Sequence, residues 1–552
     1  MINRLILFFI SLALIINTGQ GQNLKIKQLQ IPVLKSKSHS PTLQFSLNTA
    51  YDFEIKNVTL SFKESTDLAD IESISIFDLG QDSSWQVEKG KLLVQSPLIK
   101  AECSIKLSVP LAKDQHFFIV AVKLSDKAPL DHFIAAELKQ VLLSNSKTLK
   151  LSKKPKVLKQ RIGIALRNGG DDGVVRYRIP GLAQTNQKSL LAIYDIRRDN
   201  GRDLQGDIDI GVSRSTDGGN TWEPMRIGLD MGEYGGLPQK FNGVSDACIL
   251  VDKNSDTIYL AGCWMHGVID EKTGEKITGL NESSSNWNHQ WRNNGSLQGF
   301  DIDKTSQFII ARSTDDGKTW GEPINITQSI KHADWHLAAP APGSGITLED
   351  GTLVIPSQGK DENQIPFSNI IFSKDGGKSW MASKPSYTNT TENMVVQLSD
   401  GSIMQNMRDN RNRQDKSETN GRAIYTTLDL GNTWKMHPTN HDSLIEPVCM
   451  ASIYKHEYID NKGEKKSVLL FSNPNSKYER KSMTIKVSFD DGQSWPEENW
   501  LLLDDLSLQG GYSSITSIDN NTIGILYEGS QAQMTFERIS LEELGIKDAK
   551  KE

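Results

Sequence analysis

From Ile162 onward, short apolar runs arrive in sets of three. Leu182–Gln184, Leu190–Tyr194 and Ile208–Arg214 form the first set, and Cys248–Val251, Thr257–Gly262 and Gln307–Ser313 the second. Ile346–Leu348, Leu353–Pro356 and Ile370–Ser373 follow, then Met394–Leu398, Ser402–Asn406 and Ala423–Thr427. The fifth set is Val448–Tyr454, Val468–Phe471 and Thr484–Ser488, and the sixth is Ser513–Ile518, Thr522–Tyr527 and Gln531–Arg538. Runs of this length predict β-strands. The first five sets each end in the same turn: SRSTDGGNTW (Ser213–Trp222), ARSTDDGKTW (Ala311–Trp320), IFSKDGGKSW (Ile371–Trp380), YTTLDLGNTW (Tyr425–Trp434) and KVSFDDGQSW (Lys486–Trp495). A motif recurring at this interval predicts an all-β fold with a six-bladed β-propeller. The strand near Ile162–Leu166 completes the last blade and closes the ring, which leaves few exposed strand edges.

The repeated turn has a physical reading. Its aspartates, Asp217, Asp315, Asp375, Asp429 and Asp490, are expected to accept hydrogen bonds from N–H groups two residues on. Gly takes a backbone angle that a Cβ would penalise. Trp buries its ring between neighbouring repeats. One carboxylate per turn is too few oxygens for calcium, so these aspartates build the fold. The turns join third and fourth strands and lie at one end of the ring. Loops joining second to third strands, or one blade to the next, lie at the other end, where function is expected.

Before the repeats, Gln22 to about Val157 carries short stretches such as Thr42–Leu47, Val58–Phe62, Ile105–Val109 and Phe117–Val122, broken by polar turns. They predict a small β-sandwich. A Lys-rich stretch, Ser146–Arg161, reads as a solvated linker. The 552 residues thus divide into a sandwich over 22–157, with carbohydrate binding a plausible role, and a propeller over 158–545. Met1–Gly21 has the form of a secretory signal: Arg4, an apolar core Leu5–Ile16, and small Gly19 and Gly21 near a cleavage point. The apolar core is too short for a stable membrane span, which predicts a secreted or periplasmic protein. A net charge of −6 with mixed signs excludes a nucleic-acid binder on charge grounds. The four cysteines, Cys103, Cys248, Cys263 and Cys449, match no metal spacing. Cys248 and Cys263 flank a hairpin turn and are placed to face each other, yet are expected as buried thiols.

The loops at the end opposite the Asp turns hold a distinct set of side chains. Arg178 lies in YRIP (Tyr177–Pro180), and Arg197 and Asp203 lie in DIRRDNGRDLQGD. Asp246 precedes the second blade, Glu392 the fourth, and Arg408 follows that blade's second strand. Arg480 occupies the corresponding loop of the fifth blade, Tyr512 opens the sixth in GGYSS, and Glu528 closes its second strand. YRIP followed by repeated SxDxGxTW resembles the bacterial and animal exo-α-sialidases (neuraminidases), over nearly all of residues 160–540. The resemblance implies that Arg178, Arg408 and Arg480 clamp the sialic acid carboxylate, and guanidinium forks suit a carboxylate bidentately. It also implies that Glu528 holds Arg178 and that Arg197 is a further arginine of the site. Asp203 corresponds to the acid/base, six residues after Arg197, with Asp207 and Asp209 as rivals. Asp246 corresponds to an aspartate near the sugar's amide and 4-hydroxyl.

Tyr512 and Glu392 resemble that family's nucleophile pair, for a reason that stands independently. The anomeric carbon of sialic acid bears a carboxylate, which repels an anionic nucleophile, whereas a neutral phenol avoids the repulsion. Tyrosine, with a pKa near ~10, needs an adjacent base to attack. No metal or cofactor is implied. A second reading keeps this machinery but transfers sialic acid to another sugar or forms an internal anhydro product. A third is a non-catalytic propeller that binds glycan or protein, which need not keep all these groups together. Met265–Ser306, a long insertion at the functional end with Trp287 and Trp291, is expected to shape the region receiving the rest of the glycan.

Overall fold

A computed structural model describes residues 23–48, 52–151, 155–265, 267–270, 272–289 and 296–550. The leader, Met1–Gly21, and Trp291 lie outside these. After the N-terminal region, six sheets of four or more strands follow one another among the described residues. The first comprises Arg176–Gln184, Leu190–Arg197, Ile208–Ser215 and Arg226–Leu229, each antiparallel to the next. The fourth, Thr390–Gln397, Ile403–Asp409, Ala423–Thr427 and Lys435–Met436, repeats this plan. The innermost strands of consecutive sheets pack in order, and the sixth packs against the first. The ring closes as the sequence predicts: Gln160–Arg167 pairs antiparallel with Met534–Ser540, with Ile164 opposite Phe536.

All five Asp turns share one geometry that differs from expectation in its reach. The carboxylate accepts the N–H four residues on, at 2.9 Å in each of Asp217, Asp315, Asp375, Asp429 and Asp490. Its second oxygen takes the hydroxyl of that same Thr or Ser. The N–H of the motif's Gly goes instead to the Ser or Thr that opens the motif, 2.9 Å for Gly219 to Ser215. Gly219 has φ +88°, and a Cβ there would sit 2.2 Å from Phe536. That close approach brings Trp222 edge-on to Phe536 at 5.0 Å, across the junction of first and sixth sheets. Trp380 crosses likewise to Tyr259 of the second sheet at 5.6 Å.

The N-terminal region pairs a five-stranded sheet (Asn23–Gln28, Ser40–Asn48, Gln115–Leu124, Ile71–Gly80, Lys91–Pro97) with a four-stranded one (Thr148–Leu149, Glu137–Leu143, Phe53–Ser61, Glu102–Leu111). The two bury a common aliphatic and aromatic core that includes Phe45, Phe62 and Phe118. One segment leaves this sandwich. Val33–Lys35 runs parallel to Ile162–Ile164 as the outermost strand of the propeller's sixth sheet. Val33 and Leu34 are fully buried there. Gln160 donates to the carbonyls of Ile31 and Pro41, and Gln531 to that of Pro32 at 2.6 Å. The Lys-rich stretch is strand at both ends, Thr148–Leu149 and Gln160–Arg161, where a continuous linker was expected. Cys248 and Cys263 are buried free thiols. A bulge separates them in register, Cys248 standing opposite Ala261 and Cys263 opposite Ser245.

Candidate active site

Three first strands carry a bulge at the end opposite the Asp turns. Register shifts fall between Arg178 and Gly181, between Ser245 and Cys248, and between Thr390 and Asn393. Each places two residues against one and re-aims the strand start. Ile179 (φ +63°) and Asp246 (φ +55°) lie within two of them, in backbone that non-glycine residues rarely hold without a local reason. Glu392 lies in the third. Val448, also at positive φ (54°), turns out of the ladder and gives its carbonyl to Arg480 Nη2 at 3.1 Å. The fifth sheet's first strand therefore begins at Ser452 rather than Val448.

These starts, with the ends of second strands, bring the predicted residues together. Glu528 accepts Arg178 Nε at 2.5 Å and the N–H groups of Ile179 and Tyr512 at 3.0 Å each. Burial alone would raise the Glu528 carboxyl, but Arg178 and the two N–H groups outweigh it and hold it below the usual range. Glu392 takes the Tyr512 hydroxyl on Oε1 and Arg408 Nη1 on Oε2 at 2.5 Å. Arg408 Nη1 also donates to the Tyr512 oxygen at 3.0 Å. The guanidinium carbons of Arg178 and Arg480 lie 5.3 and 5.6 Å from the Tyr512 ring centre. Arg480 is anchored by the Gly510 carbonyl at 2.8 Å. Tyr512 is thus a buried phenol touching one carboxylate and ringed by three cations. Burial, followed by Glu392, raises its pKa well above the ordinary value.

Arg197, fully buried, binds Asp203 at 2.6 Å, and Asp195 through Nε and Nη2 at 3.2 and 2.8 Å. The Asp203 side chain remains 62% exposed, so one carboxylate edge faces solvent. Its spacing rivals are held elsewhere: Asp207 and Asp209 both pair with Arg198, at 3.4 Å for Asp207. Burial, then Asp230, pushes the Asp209 carboxyl up to about 7. Asp246 accepts Gln358 Nε2 at 3.1 Å. Burial and the neighbouring Glu392, Asp195 and Asp203 raise its pKa.

Several partners escaped the sequence reading. Asp195 orients Arg197 and accepts Ser245 Oγ at 2.6 Å. Its signal was available, because Asp195 and Arg197 share one face of Leu190–Arg197 by strand alternation. Behind Arg408, buried Glu446 accepts the Asp409 N–H at 2.7 Å, Asn412 at 2.8 Å and Arg422 at 2.7 Å. This network fixes the end of Ile403–Asp409, and no local pattern announces it. In the insertion, Val268–Ile269 pairs with Asn288–His289. Trp287 packs edge-on to Phe241 at 4.7 Å, and its carbonyl accepts Gln205 Nε2 at 3.5 Å, two residues from Asp203.

Residues 179–501 match the BNR repeat-like domain, and residues 21–147 match the N-terminal domain of BNR-repeat neuraminidase. A sialidase of Bacteroides fragilis is 36% identical over 547 residues, covering 94% of this chain and 95% of that one. A sialidase of Clostridium perfringens is 29% identical over 64% of this chain and 86% of its own. The solved structure of Hadza microbial sialidase Hz136 aligns with TM-score 0.83 at 36% identity, over 94% of this chain and 99% of that one.

Proposed function

The chain belongs to the BNR-repeat neuraminidase family and is an exo-α-sialidase; from that premise we propose that it hydrolyses terminal α-linked sialic acids of glycoproteins, glycolipids and oligosaccharides with retention, using Tyr512 as nucleophile. The observation that carries this reading is the Tyr512 hydroxyl on Glu392 amid Arg178, Arg408 and Arg480. The arginines receive the substrate carboxylate, a charge-assisted contact. Because the phenol is held neutral, its proton passes to Glu392 as its oxygen bonds the anomeric carbon. Asp203 protonates the departing glycosidic oxygen, which leaves with the rest of the glycan. The same carboxylate then takes a proton from water, whose oxygen attacks the anomeric carbon. The Tyr512 oxygen departs and recovers its proton from Glu392. The fixed guanidinium and N–H dipoles need little reorganisation as charge develops. Arg197 sets Asp203, and Asp246 lines the pocket on the sugar's amide and 4-hydroxyl side. The apolar leader Leu5–Ile16 supports export.

Proton NMR of the first sialic acid released from 2,3- and 2,6-linked sialosides tests the proposal. The α-anomer is expected first. Initial β-anomer would overturn retention, an anhydro product or sialic acid on another sugar would replace hydrolysis, and no release would remove the function.

A further inference from the structure

Arg176 stands two residues before Arg178 and opens the same strand, Arg176–Gln184. Strand alternation puts both side chains on one face. Tyr177 between them is fully buried on the other, edge-on to Tyr194 at 5.5 Å. Across the ladder Arg178 stands opposite Asp195, and Arg176 opposite Arg197. Like charges directly opposite in an antiparallel pair are destabilising. Arg197 is compensated by Asp195 and Asp203, and Arg178 by Glu528. Arg176 is not, because among the described residues it forms no ion pair. Its anchor is neutral: Nη2 donates to the Gln509 carbonyl at 2.7 Å, in a bond exposed to solvent. Burial, then the Arg178 charge, lowers the Arg176 pKa, and Arg197 adds to the effect. A half-buried charge is costly unless paired, so a cation held among cations marks a place where an anion completes the balance.

That place lies beside the acid/base. Arg197 Nη1 donates to the Gly201 carbonyl at 3.0 Å and to Asp203 at 2.6 Å. Arg176 packs under the same glycine, where an added Cβ would sit 2.9 Å from its Cδ. Gly201 thus touches both arginines, two residues before the carboxylate that meets the leaving oxygen. As the first residue of its strand, Arg176 stands two positions, roughly 7 Å, nearer the rim than Arg178. The carboxylate of the sialic acid being cleaved is taken by Arg178, Arg408 and Arg480. A second anion at Arg176 therefore belongs to the sugar that departs. Resting on the sialidase reading, we propose that Arg176 selects leaving glycans with an anion on the sugar next to the cleaved bond, the carboxylate of an inner sialic acid or a sulfate ester. Either anion offers its oxygens to a guanidinium fork.

Kinetics of the full chain on three substrates test this: a 2,8-linked disialoside, a sialyl galactoside sulfated on galactose, and that galactoside without sulfate. The readout is kcat/KM on each anionic glycan divided by that on the unsulfated one. In wild type at least one ratio should fall as salt rises, because a partly exposed charge contact is screened. Arg176→Gln removes the charge and keeps an amide donor for the Gln509 carbonyl. It should lower that ratio about tenfold, the worth of one hydrogen bond to a charged group, and flatten its salt dependence. Arg176→Lys, which keeps the charge, should retain most of the preference. A fall confined to the disialoside assigns the carboxylate, and one confined to the sulfated glycan assigns the sulfate. Wild-type ratios indifferent to salt, or ratios unchanged in Arg176→Gln, overturn the proposal. Calorimetry with an uncleavable sulfur-linked disialoside reads binding without turnover. If wild type binds it more tightly than Arg176→Gln does yet releases no sialic acid from any glycan, the sialidase reading fails and the Arg176 contact stands.

Discussion

Asp203 works against its surroundings. Partial desolvation in the pocket pulls its pKa up even with one carboxylate edge open to solvent, but Arg197, Arg178 and Arg408 prevail and hold it below the usual carboxylate range. A general acid must carry its proton at the working pH. Under the proposed mechanism the substrate supplies the correction, because its carboxylate neutralises the arginines that depress Asp203. An acid loses activity as pH rises through its pKa. The alkaline limb of kcat, which reports the complex, should therefore lie at higher pH than that of kcat/KM, which reports the free enzyme. Coincident limbs on an alkyl-linked glycan would refute this. Asp203→Asn should lower kcat/KM about 10²–10⁴-fold on such a glycan, and far less on an aryl sialoside whose leaving group needs no proton. Tyr512→Phe keeps the ring between Arg178 and Arg480 and removes only the attacking oxygen. Its circular dichroism should match wild type while kcat falls on the order of 10³-fold or more; near-normal turnover would discard the nucleophile assignment. Eight of the nine predicted residues fall at a strand start or strand end on one side of the ring, and Asp203 in the loop between two strands at that same end, which is how the sequence placed them together. Asp203 and its rivals were not separable by spacing alone, since their difference is which arginine, Arg197 or Arg198, reaches them.

At the scale of strands and turns, alternation located the elements but not their irregularities. The bulges at Ile179, Asp246 and Glu392 leave the apolar pattern nearly intact, because they shift register over two residues at a strand end. Backbone strain of this kind costs on the order of 1–3 kcal/mol per residue, and here it points side chains inward. The Asp turns, in contrast, were written plainly in sequence, and only the reach of the hydrogen bond was misjudged. They carry a pH signature. The Ser379 hydroxyl and N–H lower Asp375 to about 2, and the Thr433 N–H and hydroxyl do the same for Asp429. A carboxylate depressed on folding contributes stability above its unfolded pKa, near ~4, and loses it as pH falls through the folded value. The thermal midpoint should therefore drop between pH 4 and 2. The double variant Asp375→Asn, Asp429→Asn should show a shallower drop; an unchanged slope would place the acid sensitivity elsewhere.

For the whole molecule, the sequence separated two domains more cleanly than the chain does. A three-residue strand embedded in a sandwich has no periodicity to reveal that it pairs with a sheet over a hundred residues away. Removing residues 1–157 takes Val33–Lys35 from the sixth sheet and uncovers Ala165 and Ala532, which cluster with Leu34. Burial of Val33 and Leu34 is worth about 1.5–3 kcal/mol each. A chain starting at Leu158 should melt several degrees below the full protein by calorimetry, and an equal midpoint would show the strand to be dispensable. The ring closure also reaches into biosynthesis. Arg178 emerges from the ribosome more than three hundred residues before Tyr512 and before Glu528, which holds it. A nascent chain that has completed five sheets still lacks Tyr512 and Glu528, so Arg178 and Glu392 stay without these partners until the sixth sheet is made.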